Sequence, residues 1–439
     1  MIFSYGVTMN KIRFSIRLLF AASFIMTSNV FGQWTQSKGL ENSTVTSFTS
    51  IGNNLLAGVE GGYVYLSKDS GATWTSIDTL ASAQYCPNCT LVFVPSITIY
   101  TDGTNVFAGS AADSGSVHIS TDSGLTWKEY DPSFVQNINC FTSLGGILFA
   151  GTDDGVFRSN NYGITWFPSN NGLSFGNYDS TYNHAPQVTR LAVKGNDLFA
   201  GTSGEGLFFS ADSAANWIQI DSGLTNLEIY GLSVIDSYIF AGAFKFPGNS
   251  TGGVYVSANN GTTWNQSNSG LTNYMLNVLY AKDSLLFAGT NEGVFVSNNK
   301  GFSWNIVGNK TSVSFALFAF GPYLLSNGSG GVWRYPLSQL VTNVANRSNH
   351  TPNSFYLNQN FPNPFNPTTI ITYSLPVSSD VTLKIYDVLG RKITTLVDKF
   401  QTPGIHTVTY NAAALSSGIY LYKLTAGSFS QTKKLILIK

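Results

Sequence analysis

Apolar and polar positions alternate along most of this chain in short runs, and the runs recur in a fixed order. One buried-looking run is Leu56-Ala57-Gly58, repeated as Phe107-Ala108-Gly109, Phe149-Ala150-Gly151, Phe199-Ala200-Gly201, Phe240-Ala241-Gly242 and Phe287-Ala288-Gly289. A looser version is Tyr323-Leu324-Leu325-Ser326. Before each lies another apolar run, such as Val188 to Val193 or Leu276 to Tyr280. After each comes a glycine-led alternating run, such as Gly155-Val156-Phe157-Arg158-Ser159 or Gly293-Val294-Phe295-Val296-Ser297. A polar-apolar stretch ending in Gly-Leu completes the unit, as in Trp264 to Leu271. Short alternating runs bounded by turn residues predict strands, so the unit predicts four of them. Self-similarity at this period predicts stacked supersecondary units. The last unit stops at Gly331-Val332-Trp333-Arg334-Tyr335, one strand short. Trp34-Thr35-Gln36-Ser37-Lys38-Gly39-Leu40 matches Trp264 to Leu271 almost position for position and supplies the missing strand. The pattern predicts an all-β, seven-bladed β-propeller over 33–340, in which an N-terminal strand closes the last blade and leaves no open edge.

Between the third and fourth strands stands Ser-x-(Asp/Asn)-x-Gly-x-Thr-Trp. Its cleanest copies are Ser67 to Trp74 and Ser120 to Trp127; the others end at Trp166, Trp217, Trp264 and Trp304. The phrase predicts a hairpin turn, with the Asp or Asn oxygen accepting backbone N–H groups and the glycine at positive φ. Each Trp is expected to pack between neighbouring sheets. Asp69, Asp122 and Asp212 are replaced by Asn161, Asn259 and Asn299 in the other copies. Asn keeps the accepting oxygen and loses charge and basicity, which a turn tolerates and a hard-cation site or acid–base catalyst does not. The copy at Ser210 departs further, with Ala214 for Gly and Asn216 for Thr. This phrase resembles the Asp-box of the BNR (bacterial neuraminidase) repeat, shared by sialidases, sortilin-type receptors, some xyloglucan hydrolases and photosystem II assembly factors. The resemblance implies the propeller fold and leaves activity open, because those families share the turn and not the chemistry.

Spacings between successive Trp from Trp34 to Trp304 are 40, 53, 39, 51, 47 and 40 residues. The surplus falls in the loops at 80–96, 167–187, 110–116 and 243–252, which emerge on one face, opposite the repeat turns. Insertions confined to one face mark a binding surface. That face would carry Tyr178, Asp179, Tyr182, His184, Phe244, Lys245 and Phe246, with Glu60, Asp153, Asp154, Glu205 and Glu292 on shorter loops. Arg190, at the top of a first strand, is placed for the central channel. Aromatics beside carboxylates suit a glycan or protein ligand. A sialidase-like site needs several converging arginines. Only Arg158, Arg190 and Arg334 lie in the propeller segment, and the Phe-Arg-Ile-Pro motif of sialidases is missing. A binding propeller is therefore the first reading, a sialidase-like or xyloglucanase-like glycoside hydrolase the second, and a structural surface-layer component the third. No catalytic residue, metal ligand or cofactor is assigned.

Composition fits an extracellular all-β chain. Charged residues are 10% of 439, against ~25% in ordinary domains. Lys plus Arg equal Asp plus Glu at 23 each, which gives no nucleic-acid footprint. Lys11, Arg13 and Arg17 precede the apolar run Leu18 to Met26, which reads as a secretory signal peptide over 1–32. Translation could begin at Met1 or Met9. No transmembrane segment is expected in the mature chain. Cys86-Pro87-Asn88-Cys89 is a disulfide candidate for an oxidising compartment, and Cys140 reads as a buried small hydrophobe.

A polar linker is expected over 341–354 and a small immunoglobulin-like β-sandwich over 355–439. Strands are expected near 369–375, 381–387, 392–397, 405–410, 418–425 and 429–438. Asn363-Pro364-Phe365-Asn366-Pro367, Tyr386 to Arg391, Ser417 to Tyr422 and the final Lys433 to Lys439 resemble the type A C-terminal sorting domain of type IX secretion substrates. That resemblance implies passage through the Sec translocon, then the type IX outer-membrane machinery. The protein would be secreted or held on the outer surface of a Gram-negative bacterium.

Overall fold

The computed structural model describes residues 33–80, 96–111, 115–130, 136–173, 185–245, 252–308, 313–340, 355–360 and 363–438. The expected signal peptide, the linker, Cys86 and Cys89 lie outside them, as do Tyr178, Asp179, Tyr182, His184 and Phe246.

From Thr35 to Pro336 the chain forms seven four-stranded antiparallel sheets. Their first strands are Val45–Ile51, Ser96–Thr101, Ile138–Leu144, Val188–Lys194, Ile229–Ile235, Leu276–Lys282 and Leu317–Phe320. Each packs against the next in chain order, and Leu317–Phe320 packs back onto Val45–Ile51, so the first strands enclose an axis. In six sheets the chain runs outward from this axis without crossovers. The seventh takes its outer strand from the other end of the ring. Thr35–Gln36 pairs antiparallel with Gly331–Pro336, Thr35 opposite Arg334 and Gln36 opposite Trp333, as the match to Trp264–Leu271 predicts. Trp34 Nε1 donates to Val307 O at 2.8 Å, and its ring lies 5.3 Å from that of Tyr335.

Burial within a sheet follows position. The second strands, such as Leu285–Thr290, are buried along almost their whole length because both faces meet neighbouring sheets. Outer strands such as Ile218–Gln219 are exposed. The Ala-Gly pair of the second strand sits where sheets crowd together near the axis. A Cβ on Gly58 would lie 2.2 Å from Ile97 O, and one on Gly201 would lie 2.7 Å from Ile229 Cγ2. The recurrent Phe-Ala-Gly is thus a taper in side-chain size.

In the tail, Tyr356–Leu357, Thr368–Leu375 and Gly404–Asn411 form one sheet. Lys392–Gln401, Ser379–Asp387, Gly418–Ala426 and Phe429–Leu437 form another. The two share a core that includes Ile371, Tyr373, Leu383, Ile385, Tyr422 and Leu435. Asn363 Oδ1 accepts from Ile436 N at 2.7 Å, and Phe365 exchanges backbone bonds with Ile436 and Ile438. The Asn-Pro-Phe segment is thereby fastened to the last strand. Lys392–Gln401 extends four residues past the expected end at 397, and Tyr356–Leu357 had no counterpart in the sequence pattern.

Candidate functional site

The two faces of the ring are built differently. On one lie the six repeat turns. Ser67 Oγ donates to Asp69 Oδ1 at 2.8 Å and accepts from Gly71 N at 2.9 Å. Asp69 accepts Thr73 N at 2.9 Å and Thr73 Oγ1 at 2.7 Å. Ala72 N bonds Asp69 O, and Ser70 and Gly71 stand at φ +55° and +79°, the signature of a type I′ turn. Thr126 hydroxyl and amide bonds hold Asp122 at about 2, and Asn216 does the same for Asp212. In the Asn copies the side-chain bond reverses. Asn161 Nδ2 donates to Thr165 Oγ1 at 2.9 Å, Asn259 Nδ2 to Thr263 Oγ1 at 3.0 Å, and Asn299 Nδ2 to Ser303 Oγ at 2.9 Å. The divergent copy compensates: Ala214 takes φ +67°, and Asn216 Nδ2 replaces the hydroxyl donor to Asp212 at 2.8 Å.

Trp74, Trp166, Trp217, Trp264 and Trp304 are buried between their own sheet and the preceding one, and Trp127 is half-buried. The Gly-Leu endings clamp four of them. Trp217, Trp264 and Trp304 donate their backbone N–H to Asn171, Ser222 and Ser269, and Trp74 donates to Lys38. Gly270, at φ +88°, lies so close that a Cβ would sit 2.3 Å from Trp304 O. In these turns the Asp and Asn oxygens are occupied by hydrogen bonds within the turn itself.

On the opposite face the first strands open into a cavity of about 470 Å³ on the ring axis. Its wall includes Glu60, Arg190, Tyr230, Phe244, Asn277 and Phe315. In five first strands the register with the second strand slips by one residue near this end, at Thr46, Asn139, Thr189, Tyr230 and Asn277. A bulge of this kind re-aims the extra residue. Three slipped residues, Thr46, Tyr230 and Asn277, line the cavity. Thr46, Asn139 and Thr189 tie sheet to sheet: Thr46 Oγ1 donates to Ile97 O at 2.5 Å, Asn139 Nδ2 to Val188 O at 3.1 Å, and Thr189 Oγ1 to Ile229 O.

Arg190 is half-buried in the wall. Its Nη1 donates to Thr189 O at 2.7 Å and its Nη2 to Asn277 O at 3.4 Å. Burial pulls its pKa down from the ordinary guanidinium value. Tyr230 and Phe244 form a tilted ring pair 5.7 Å apart. Nearby, burial pushes the Cys140 thiol up to about 12, so this buried residue stays a neutral hydrophobe.

Of the residues expected on this face, the structure brings Glu60, Arg190 and Phe244 together in the cavity wall. Asp154, Glu205 and Glu292 do not line it. Asp154 Oδ1 accepts Ala185 N at 2.9 Å, just before the strand Val188–Lys194. Glu205 supplies its backbone carbonyl to Gln219, and Glu292 donates its backbone N–H to Thr290 Oγ1. Tyr230, Asn277 and Phe315 were not singled out from the sequence. Aligning the repeats on Phe-Ala-Gly and counting back to the first strand would have put Thr46, Asn139, Thr189, Tyr230 and Asn277 in one column. Among the described residues no cluster of His, Cys, Asp and Glu could hold a metal ion, and no helix is long and apolar enough to cross a membrane.

The family model of the secretion system C-terminal sorting domain matches residues 359–439. The tail is a secretion sorting domain. The sorting domain directs the chain through type IX secretion to the cell surface or outside. Its machinery is accordingly a partner of this chain. The rest of the chain is similar in fold to β-propellers. YCF48 bound to a D1 peptide aligns with TM-score 0.52 at 14% identity, over 70% of this chain and 96% of that one. The GH74 xyloglucanase of Xanthomonas campestris aligns with TM-score 0.53 at 14% identity, over 78% of this chain and 59% of that one. The GH74 enzyme of Niastella koreensis aligns with TM-score 0.51 at 13% identity, over 91% of this chain and 74% of that one. At these identities the likeness is one of fold. No curated protein matches the chain.

Proposed function

We propose that the propeller is a secreted or surface-held binding module that takes a glycan or protein ligand at its loop-bearing face. The observation that carries this reading is the axial cavity. Residues from most of the sheets converge there, and a half-buried cation stands beside a ring pair. A mostly apolar concavity with a few convergent polar groups is the usual form of a ligand site. Among the described residues its wall holds one carboxylate, Glu60, whereas glycoside hydrolysis by two flanking carboxylates needs a pair. That favours binding over catalysis. The seven four-stranded sheets support a count of seven blades, and the two facing tail sheets support an immunoglobulin-like sandwich. The test is a glycan and peptide array probed with the full chain and with Tyr230→Ala and Phe244→Ala. Ligands captured by the parent and lost by both variants support the cavity. Capture that neither substitution alters places binding elsewhere and overturns it.

A further inference from the structure

One basic and one acidic side chain line the axial cavity, Arg190 and Glu60, on different sheets of the ring. Arg190 presents a planar fork of five N–H donors. Its two recorded bonds go to neutral carbonyls, Thr189 O and Asn277 O. Among the described residues no carboxylate pairs with it. The buried Cys140 thiol beside it, pushed up to about 12, offers no negative charge at neutral pH. A guanidinium partly desolvated by its surroundings and without a counter-charge is destabilised, and a bidentate carboxylate is the partner its geometry fits best. Around it the wall is apolar: Tyr230 and Phe244 in their ring pair, with Phe315 and Val45.

We propose that the cavity receives a carboxylate carried on an apolar body. The carboxylate sits on Arg190, and the body lies against Tyr230, Phe244 and Phe315. This rests on the reading of this face as a binding surface and names the chemistry of its ligand. Such a group occurs as a free aryl or alkyl acid and as the terminal residue of a peptide with an apolar side chain. Glu60 repels the anion and biases it toward the Arg190 side of the cavity.

The experiment is calorimetric titration of the full chain with four probes: 3-phenylpropionate, acetyl-Gly-Gly-Phe with a free carboxylate, its C-terminal amide, and glucuronate. The free peptide acid is expected to bind about tenfold or more tightly than the amide, the range of a charge-assisted bond. Arg190→Gln should abolish that difference, whereas Phe244→Ala should weaken acid and amide together. Glu60→Gln, a surface change that leaves Arg190 in place, should strengthen the acids about two- to threefold and leave the amide unmoved. Comparable binding by 3-phenylpropionate assigns the site to free acids; preference for the peptide acid assigns it to chain ends. The proposal is overturned if acid and amide bind alike, if glucuronate binds as tightly as the apolar acids, or if no probe binds at millimolar concentration. Array capture lost in Phe244→Ala but kept in Arg190→Gln would sink the carboxylate while leaving the binding face standing.

Discussion

The two faces of the ring are made by the same strands, yet they differ in kind. On the turn face, six copies of one phrase fold to one geometry, and exchanges such as Asp for Asn or Thr for Asn only redirect a hydrogen bond. On the loop face the strand ends diverge, and residues from most of the sheets meet in one cavity. The lesson is a division of labour. Repetition carries the architecture, and departures from it shape the cavity. If so, substitutions on the turn face should change stability and spare ligand capture, and those at the cavity should do the reverse.

The largest effect is expected from the closing strand. Removing residues 33–40 strips the seventh sheet of its outer strand, exposes the edge of Gly331–Pro336 and takes Leu40 from the core. Thermal melting should fall steeply, with loss of a single cooperative transition; an unchanged melt would mean that the ring does not depend on closure. Next comes the Trp clamp. Trp264→Ala should cost ~3–5 kcal/mol in chemical denaturation, as other large-to-small core changes do. Gly270→Ala should cost at least ~1–2 kcal/mol because its backbone is left-handed and its Cβ position is filled by Trp304 O.

A smaller effect concerns acid. Asp122 and Asp212 titrate near 2 when folded, below the ~3.9 of an unfolded Asp. A lowered folded pKa contributes stability that is fully present above about pH 4 and fades as pH falls toward 2. Asp122→Asn with Asp212→Asn should therefore flatten the loss of stability between pH 4 and pH 2. The Asn turns at Asn161, Asn259 and Asn299 have no such titration to lose. A parallel fall in parent and variant would break the contrast. The smallest effect is at the cavity: Arg190→Gln should leave the melting temperature nearly unchanged or raise it slightly, since a desolvated cation is removed. A fall as large as that of Trp264→Ala would assign Arg190 to the scaffold.

The turn face was legible in the sequence because each copy is local. Ser, Asp or Asn, Gly, Thr and Trp stand within eight residues and bond to one another. The closing strand was legible because Trp34 to Leu40 repeats Trp264 to Leu271. The cavity was legible only in part. Arg190 and Phe244 stood out by residue type, but Tyr230 and Asn277 reach the wall through a one-residue slip in register, which alternation of apolar and polar positions does not encode. Asp154, Glu205 and Glu292 were grouped with Arg190 and Phe244 because charge in a loop does not say whether it faces the axis or fastens a neighbour. Loop lengths pointed to the face on which the axial cavity opens, and the side chains that meet there had to come from the fold.

Closure also has a bearing on timing. Gln36 Nε2 donates to Gly330 O, 294 residues further along the chain. The first segment of the ring to be synthesised must wait for almost the last before its polar groups are paired. Contacts so distant in sequence form slowly. The ring cannot lock until nearly all of its chain has been made and gathered in one place, so closure comes last.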